Sequence, residues 1–346
     1  MKKQTNFTII RLSSIGDIVL TSALIRSIKS TYPEAKIDFI TDKAFKEVLE
    51  FNPHINKLIL YDKKNSLASN DILRNEICEE TKIIDLQNNF RTKFLLRNFK
   101  QVAKMKKRRL QKLLLVHFKK TPKEQPIIPL LYIQTAEKFC IKHDGNGLEF
   151  WLEEEKKLDY YPPAENKQNF KLQRIGIAPG AKHFTKRWLT ENFVELIEKI
   201  HNKFNVEFYL LGGISDMKIC EEIVEKINRK KQSIKIQNTS GQTSLLTSAK
   251  LIDSCDIIIT NDTGLMHIAA ARHIPIIAIF GSTVKELGFA PFGVEHIICE
   301  AEVSCRPCTH IGRAKCPKKH FDCMQKITAE KVFQDFEKFT NYLQSK

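Results

Sequence analysis

One pattern constrains this chain of 346 residues more than any other: strands and helices alternate along it, stop, and then start alternating again. The apolar run from Phe7 to Leu12 reads as a strand, and from Asp17 to Ser30 the apolar residues Ile18, Leu20, Leu24 and Ile28 fall at helical spacing. Strand patterns over 36–41, 57–61 and 82–86 are interleaved with helical ones over 44–51 and 66–79. Between 160 and 173 the chain turns polar and carries Pro162 and Pro163, which marks a linker. The alternation resumes with strands at 174–178, 206–211, 256–260 and 275–280 and helices at 191–203, 216–228, 244–253 and 264–271. Such alternation predicts parallel sheets wound with helices. The expected fold is α/β, with two Rossmann-like doubly wound domains over 1–165 and 170–325 facing a central cleft. The amphipathic helix in 326–346 is expected to pack back on the first domain.

Composition narrows the classes. No apolar stretch approaches the roughly 20 residues of a membrane helix, and Arg11 and Asp17 interrupt the segment after Lys2 and Lys3 that would otherwise imitate a signal peptide. These features predict a cytoplasmic protein, in which nine cysteines do not form a disulfide framework. Cys78, Cys140, Cys220 and Cys255 lie in apolar-periodic segments and are expected in the core. The net charge is +16, and Leu86 to Lys123 holds 13 Lys or Arg without one Asp or Glu, so the excess is local. A local basic patch points to an anionic partner.

In doubly wound sheets, ligands sit at the carboxyl ends of the strands, and that is where the chemistry-bearing residues fall. Ser13-Ser14-Ile15-Gly16-Asp17 follows the first strand; spacing alone favours Asp17 as a helix cap, with a general base as the alternative. Pro179-Gly180-Ala181, then Lys186, Arg187 and Trp188 before a helix, combine a turn, two cations and a helix N-terminus, a set suited to a diphosphate. Leu211-Gly212-Gly213 leads to Asp216. Asn261-Asp262-Thr263-Gly264 passes directly into a helix whose first N–H groups form an anion site, with His267 one turn on. Phe280-Gly281-Ser282-Thr283 adds another small-residue turn. Read alone, His267 is a satisfied core histidine.

Taken in order, Ile10-Arg11-Leu12-Ser13-Ser14-Ile15-Gly16-Asp17, the Pro179-Gly180-Ala181 to Lys186-Arg187-Trp188 block and Asn261-Asp262-Thr263-Gly264-Leu265-Met266-His267 resemble the ADP-heptose:lipopolysaccharide heptosyltransferases of glycosyltransferase family 9. The resemblance implies a GT-B fold and an inverting, metal-independent transfer of heptose from ADP-heptose to a lipopolysaccharide-core acceptor, with no cofactor required. It makes Asp17 the base. It places Gly180, Lys186, Arg187, Gly213, Asp216, Thr243, Asp262, Thr263, Gly264 and His267 around the donor. On the acceptor side it places Ser14, Gly16, Asn88 and Arg91, with Lys106, Lys107, Arg108 and Arg109 from the basic segment. Asp85-Leu86-Gln87-Asn88-Asn89 carries Asn88 where the family usually has glycine. The alternatives are transfer from another nucleotide sugar, and a non-catalytic protein binding anions or membrane.

The basic segment is expected in the first domain, gripping acidic core sugars and the anionic inner face of the inner membrane, where the protein would sit peripherally. It lacks the interleaved aromatics of single-strand binders, so nucleic acid is not an expected partner. Cys305, Cys308, Cys316 and Cys323 have one zinc-like spacing; the pattern admits a structural zinc and reduced thiols alike.

Overall fold

A computed structural model of the chain describes residues 5–62, 73–155, 170–230 and 233–346. Two compact units emerge. The first takes Met1–Arg108 and Pro126–Pro162, the second Arg109–Gln125 and Pro163–Lys346. The expected linker falls outside the described residues up to 169, as do residues 66–72 of the expected helix over 66–79; residues 73–76 are helical.

In the first unit, β1 (Asn6–Ile10), β2 (Lys36–Asp42), β3 (Lys57–Tyr61), β4 (Lys82–Asp85) and β5 (Val102–Lys104) pair in the order β3-β2-β1-β4-β5, every pair parallel. Strands covered by helices on both faces bury both of their sides, and residues 7–10 of β1 are all buried. Helices α1 (Ile15–Val19) and α2 (Ser22–Thr31) follow β1, and α3 (Phe90–Leu95) follows β4. Because β1 sends its chain to β2 on one side while β4 pairs on the other, the sheet reverses winding between β1 and β4. The loops after those two strands therefore open at the sheet's switch point.

The chain then makes α4 (Arg109–Phe118) and α5 (Ile128–Thr135). The expected placement of the whole basic segment in the first domain needs correction, because 109–125 belongs to the second unit. The cause is apolar. Leu115 of α4 packs with Val284, Leu287 and Phe289, and Lys119 Nζ donates to the carbonyls of Cys305 and Pro307 at 3.0 and 2.7 Å. Lys106, Lys107 and Arg108 stay with the first unit and Arg109 opens α4 in the second.

The second sheet contains β6 (Arg174–Ala178), β7 (Glu207–Leu210), β8 (Ile236–Asn238), β9 (Ile257–Asn261), β10 (Ile276–Phe280) and β11 (His296–Glu300) in the order β11-β10-β9-β6-β7-β8, again all parallel. Its switch point lies between β6 and β9. Around it run α6 (Thr190–Lys203), α7 (Met217–Arg229), α8 (Leu245–Asp253) and α9 (Gly264–Ala271), with α10 (Asp322–Gln325) and α11 (Ala329–Gln344) closing the chain. The expectation that this last helix returns to the first domain is also corrected. Val332, Phe336, Phe339 and Leu343 of α11 enter the core of the second unit beside Phe193, Ile197 and Ile200 of α6, and Lys199 pairs with Glu330 at 2.8 Å. The stripe at i, i+4, i+7 and i+11 fits a neighbouring helix, and α6 supplies one. Of the four cysteines expected in the core, Cys220 and Cys255 are buried, whereas Cys78 and Cys140 are exposed.

Since Phe336 is fully buried, Phe336→Ala should cost about 3–5 kcal/mol. Denaturant unfolding of parent and variant measures this, and a loss below about 1 kcal/mol would contradict the packing of α11 on α6.

Candidate active site

At the end of β1, Arg11 sends its guanidinium across the edge of the first sheet. Nε donates to Ser13 O at 2.8 Å, Nη1 to Leu86 O at 2.9 Å, and Nη2 stands 2.6 Å from Asp17 Oδ1. Ser14 is the N-cap of α1, and both its N–H and its hydroxyl donate to Asp17 Oδ2, at 3.3 and 3.0 Å. Asp17 thus makes the capping box that its position in the sequence suggested. It is nonetheless an ion-paired carboxylate one-fifth exposed, aimed by three groups. Tyr132 of α5 completes the setting, its hydroxyl 3.4 Å from Asp17 Oδ1 and its ring 5.8 Å from the Arg11 guanidinium.

Burial pushes the Asp17 carboxyl upward, but the Arg11 charge and the Ser14 hydrogen bonds outweigh it and hold the group below the ordinary carboxylate range. The Tyr132 phenol is raised by burial, against the pull of Arg11, and stays protonated at neutral pH. Asp17 is therefore a rigidly placed, ionised acceptor of protons.

The loop after β4 braces the same edge. Gln87 accepts from Leu12 N–H at 3.1 Å, and Asp85 Oδ1 accepts from Asn88 N–H at 2.7 Å. Asn88 has φ of +37°, in the left-handed region that glycine enters freely and asparagine enters more readily than most residues. The asparagine thus preserves the turn, and it ties the loop to β5 through Nδ2 donating to Met105 O at 2.8 Å. Gly16 is buried, while Ser14 and Arg91 are exposed at this edge.

In the second unit Gly180, Lys186, Arg187, Asp262, Thr263 and Gly264, expected around the donor, lie in the segments that follow β6 and β9. Asn261, fully buried at the end of β9, donates to Pro179 O at 2.7 Å and accepts from Trp188 N–H at 3.1 Å, clamping both ends of the 179–188 loop. Arg187 shapes the same loop from within, with Nε donating to Ala181 O at 2.6 Å. Trp188 is buried, its indole N–H on Ile327 O and its ring edge-on to Phe193. Lys186 Nζ stands 2.6 Å from Asp262 Oδ2, and the Thr283 hydroxyl donates to that oxygen at 2.7 Å. Thr263, next to Asp262 in the chain, is the N-cap of α9 without a side-chain cap bond, so the first N–H groups of the helix have no side-chain cap. His267 is buried one turn further on, its ring 6.4 Å from that of Phe289.

Asp216 lies beyond β7, where its carboxylate accepts from Gly213 N–H at 3.0 Å. A Cβ on Gly180 would come within 2.2 Å of that carboxylate, so glycine is what lets the two loops touch. The Thr243 hydroxyl is 2.8 Å from Ser248 Oγ at the start of α8. The sequence reading missed Arg11, Tyr132 and Asn261 as site residues. A lone arginine at the end of an apolar strand was a usable signal for the first; no local signal marks Tyr132.

The four thiols after β11 form no disulfide. Among the described residues no group of three or more His, Cys, Asp or Glu is arranged to hold a metal ion. Cys323 is buried in the core of the second unit with Met324, and the half-buried Cys305, Cys308 and Cys316 lie near enough to act on its thiol. Burial, reinforced by the neighbouring sulfurs, lifts the Cys323 thiol to about 12 and that of Cys308 above its ordinary value, so both are protonated.

Two parallel sheets, each with its polar residues at the switch point, define a protein of the nucleotide-binding α/β class. The chain belongs to glycosyltransferase family 9 (heptosyltransferase), whose pattern matches residues 72–319. It is 27% identical over 323 residues to lipooligosaccharide heptosyltransferase 2 of Campylobacter jejuni, covering 92% of this chain and 93% of that one. Among solved structures it is similar to a family 9 glycosyltransferase from Veillonella parvula, with a TM-score of 0.75, 19% identity and 99% of both chains covered. It is also similar to E. coli heptosyltransferase WaaC with ADP-2-deoxy-2-fluoro heptose, with a TM-score of 0.68, 16% identity, and 96% and 99% of the two chains covered. At those identities the structures establish a shared fold, the GT-B plan of two Rossmann-like units.

Because the Arg11 charge helps hold the Asp17 carboxyl low, Arg11→Met should raise the Asp17 pKa. Carboxyl carbon NMR reads the titration directly; an unmoved midpoint would show that the ion pair does not control it. The sign for stability follows. A depressed native pKa adds stability that is present above the unfolded value and lost as pH falls through the native one. The parent should therefore lose this stability below the usual aspartate range, and the variant should have less of it to lose.

Proposed function

We propose that the chain is an inverting glycosyltransferase that moves heptose from ADP-heptose to a lipopolysaccharide inner-core acceptor. The observation that carries this reading is the contrast between the two switch points. The first sheet presents an ionised carboxylate, Asp17, and the second presents Lys186 beside the open N-terminus of α9. Family membership and the names of the relatives support the sugar and the acceptor.

Asp17 takes the proton of the acceptor hydroxyl as that oxygen bonds to the anomeric carbon, and the bond to the diphosphate breaks on the opposite face. Charge then develops on the departing ADP. Lys186, now paired with the Asp262 carboxylate, exchanges that anion for the diphosphate, and the Thr263 and Gly264 N–H groups share the load. With this positive charge supplied by side chain and backbone, we propose a metal-independent transfer. Released from Lys186, Asp262 accepts hydrogen bonds from sugar hydroxyls. Asp216, in its turn beyond β7, serves the ribose.

Asp17→Asn should abolish turnover while ADP binding, by calorimetry, stays at the parent level. Unchanged turnover would remove Asp17 as the base. Lys186→Ala should slow turnover about 100-fold or more, the scale of one lost transition-state donor. A panel of nucleotide sugars separates ADP-heptose from other donors, and absence of any donor-dependent product would favour a non-catalytic binding protein.

We also propose that the protein works peripherally at the cytoplasmic face of the inner membrane. Leu110, Leu113 and Phe118 of α4 are 69, 49 and 63% exposed, exposed Arg109 and Lys120 lie at the two ends of the same helix, and exposed Lys106 precedes it in the chain. Apolar side chains rimmed by lysine and arginine suit an anionic lipid surface. No described helix is long and apolar enough to cross a membrane. Cosedimentation with phosphatidylglycerol vesicles, but not with phosphatidylcholine, is expected. Charge reversal at Lys106 and Arg109 should reduce it without changing ADP affinity; an equal loss of ADP binding would refute the separation of the two surfaces.

A further inference from the structure

We propose that Arg306, in the cysteine-bearing loop after β11, is a positioning residue for the donor diphosphate. The proposal rests on the donor site just assigned. Arg306 touches none of that site's substrate-facing atoms, and it acts through the loop that follows β10.

The Arg306 side chain is only 8% exposed and its fork is filled. Nε donates to Gly281 O at 2.6 Å, Nη1 to Ala301 O at 2.6 Å, and Nη2 to Phe280 O and Thr283 O, both at 3.1 Å. Glu300 Oε2, 2.8 Å from Nη2, balances the charge. Four carbonyls from the ends of two neighbouring parallel strands thus converge on one planar cation. Past the last ladder bond such carbonyls have no backbone partner, and leaving them unsatisfied while buried is costly.

What this fixes is the turn Gly281-Ser282-Thr283, and that turn holds the cation of the donor site from two sides. The Ser282 hydroxyl donates to Thr185 Oγ1 at 2.9 Å and its N–H to Thr185 O at 3.3 Å, immediately before Lys186. The Thr283 hydroxyl donates to the same Asp262 oxygen that pairs with Lys186. Arg306 therefore reaches Lys186 along two short paths, through Thr185 and through Asp262. A lysine at 306 would keep the charge but could not span four diverging carbonyls, because an ammonium is a point donor and a guanidinium a flat fork.

The test is a double-mutant cycle on ADP binding. Arg306→Lys, Thr283→Val and the double variant are titrated with ADP by calorimetry, with thermal unfolding to confirm the folded state. Arg306→Lys should weaken ADP about tenfold, the scale of one charge-assisted hydrogen bond. The double variant should lose no more than the weaker-binding single, because both changes break one relay. Parent-level affinity in folded Arg306→Lys, or losses that multiply in the double variant, would overturn the proposal. If Arg306→Lys does not fold, Thr283→Val decides: a similar loss upholds the relay and parent-level affinity ends it. Should the parent itself bind no ADP, the donor assignment fails, and amide exchange then tests the relay separately. Faster exchange in Arg306→Lys confined to 281–284 and 183–188 supports it, and a uniform change or none rejects it.

Discussion

A parallel sheet delivers all its strand ends to one edge, where the ladder stops and the last carbonyls need partners that no further strand supplies. This structure answers with largely buried polar side chains at the strand ends. Arg11 binds Ser13 O and Leu86 O, Asn261 binds Pro179 O, and Arg306 binds four carbonyls beyond β10 and β11. Satisfying the edge also makes it rigid. The loops that carry chemistry are thus held by the same bonds that finish the sheets.

That economy explains why Asp17 and Lys186 each stand on a structural partner. Asp17 caps α1 and is gripped by Arg11, so its ionised state is built into the fold. Lys186 is matched with Asp262, which keeps a buried cation compensated until another anion arrives. In each case, reading the residue as structural or as functional is a false choice. In the proposed transfer, a carboxylate that accepts a proton in a fixed direction benefits from the bonds that fix it, and a cation that receives a diphosphate benefits from a removable counter-charge.

Much of this was legible from the chain alone. The motif loops are local events, in which a strand end, a small-residue turn and a helix start fall within about ten residues and each leaves a compositional mark. The short edge strands β5 and β11 passed unnoticed because three to five half-buried residues carry no clear period. The basic segment reads as one block, yet it divides at Arg109, because the seat of Leu115 beside Val284 and Leu287 is decided by apolar packing that charge composition does not report. Asn88 shows the reverse: its departure from the usual glycine mattered little, since φ tolerates it and its amide found a carbonyl.

By itself, then, the sequence determined the two doubly wound halves, the positions of their strand-end loops and the chemical character of Asp17, Lys186 and the Asp262-Thr263-Gly264 turn, all set by periodicity and neighbours. The tertiary structure alone decided that Tyr132 joins Asp17 across 115 positions, that Arg306 reaches the turn beyond β10, that α11 packs on α6, and that Cys323 is buried in the core. Those outcomes depend on which strands pair and which faces seal against each other. Such contacts join residues far apart in the chain, and no local pattern encodes them.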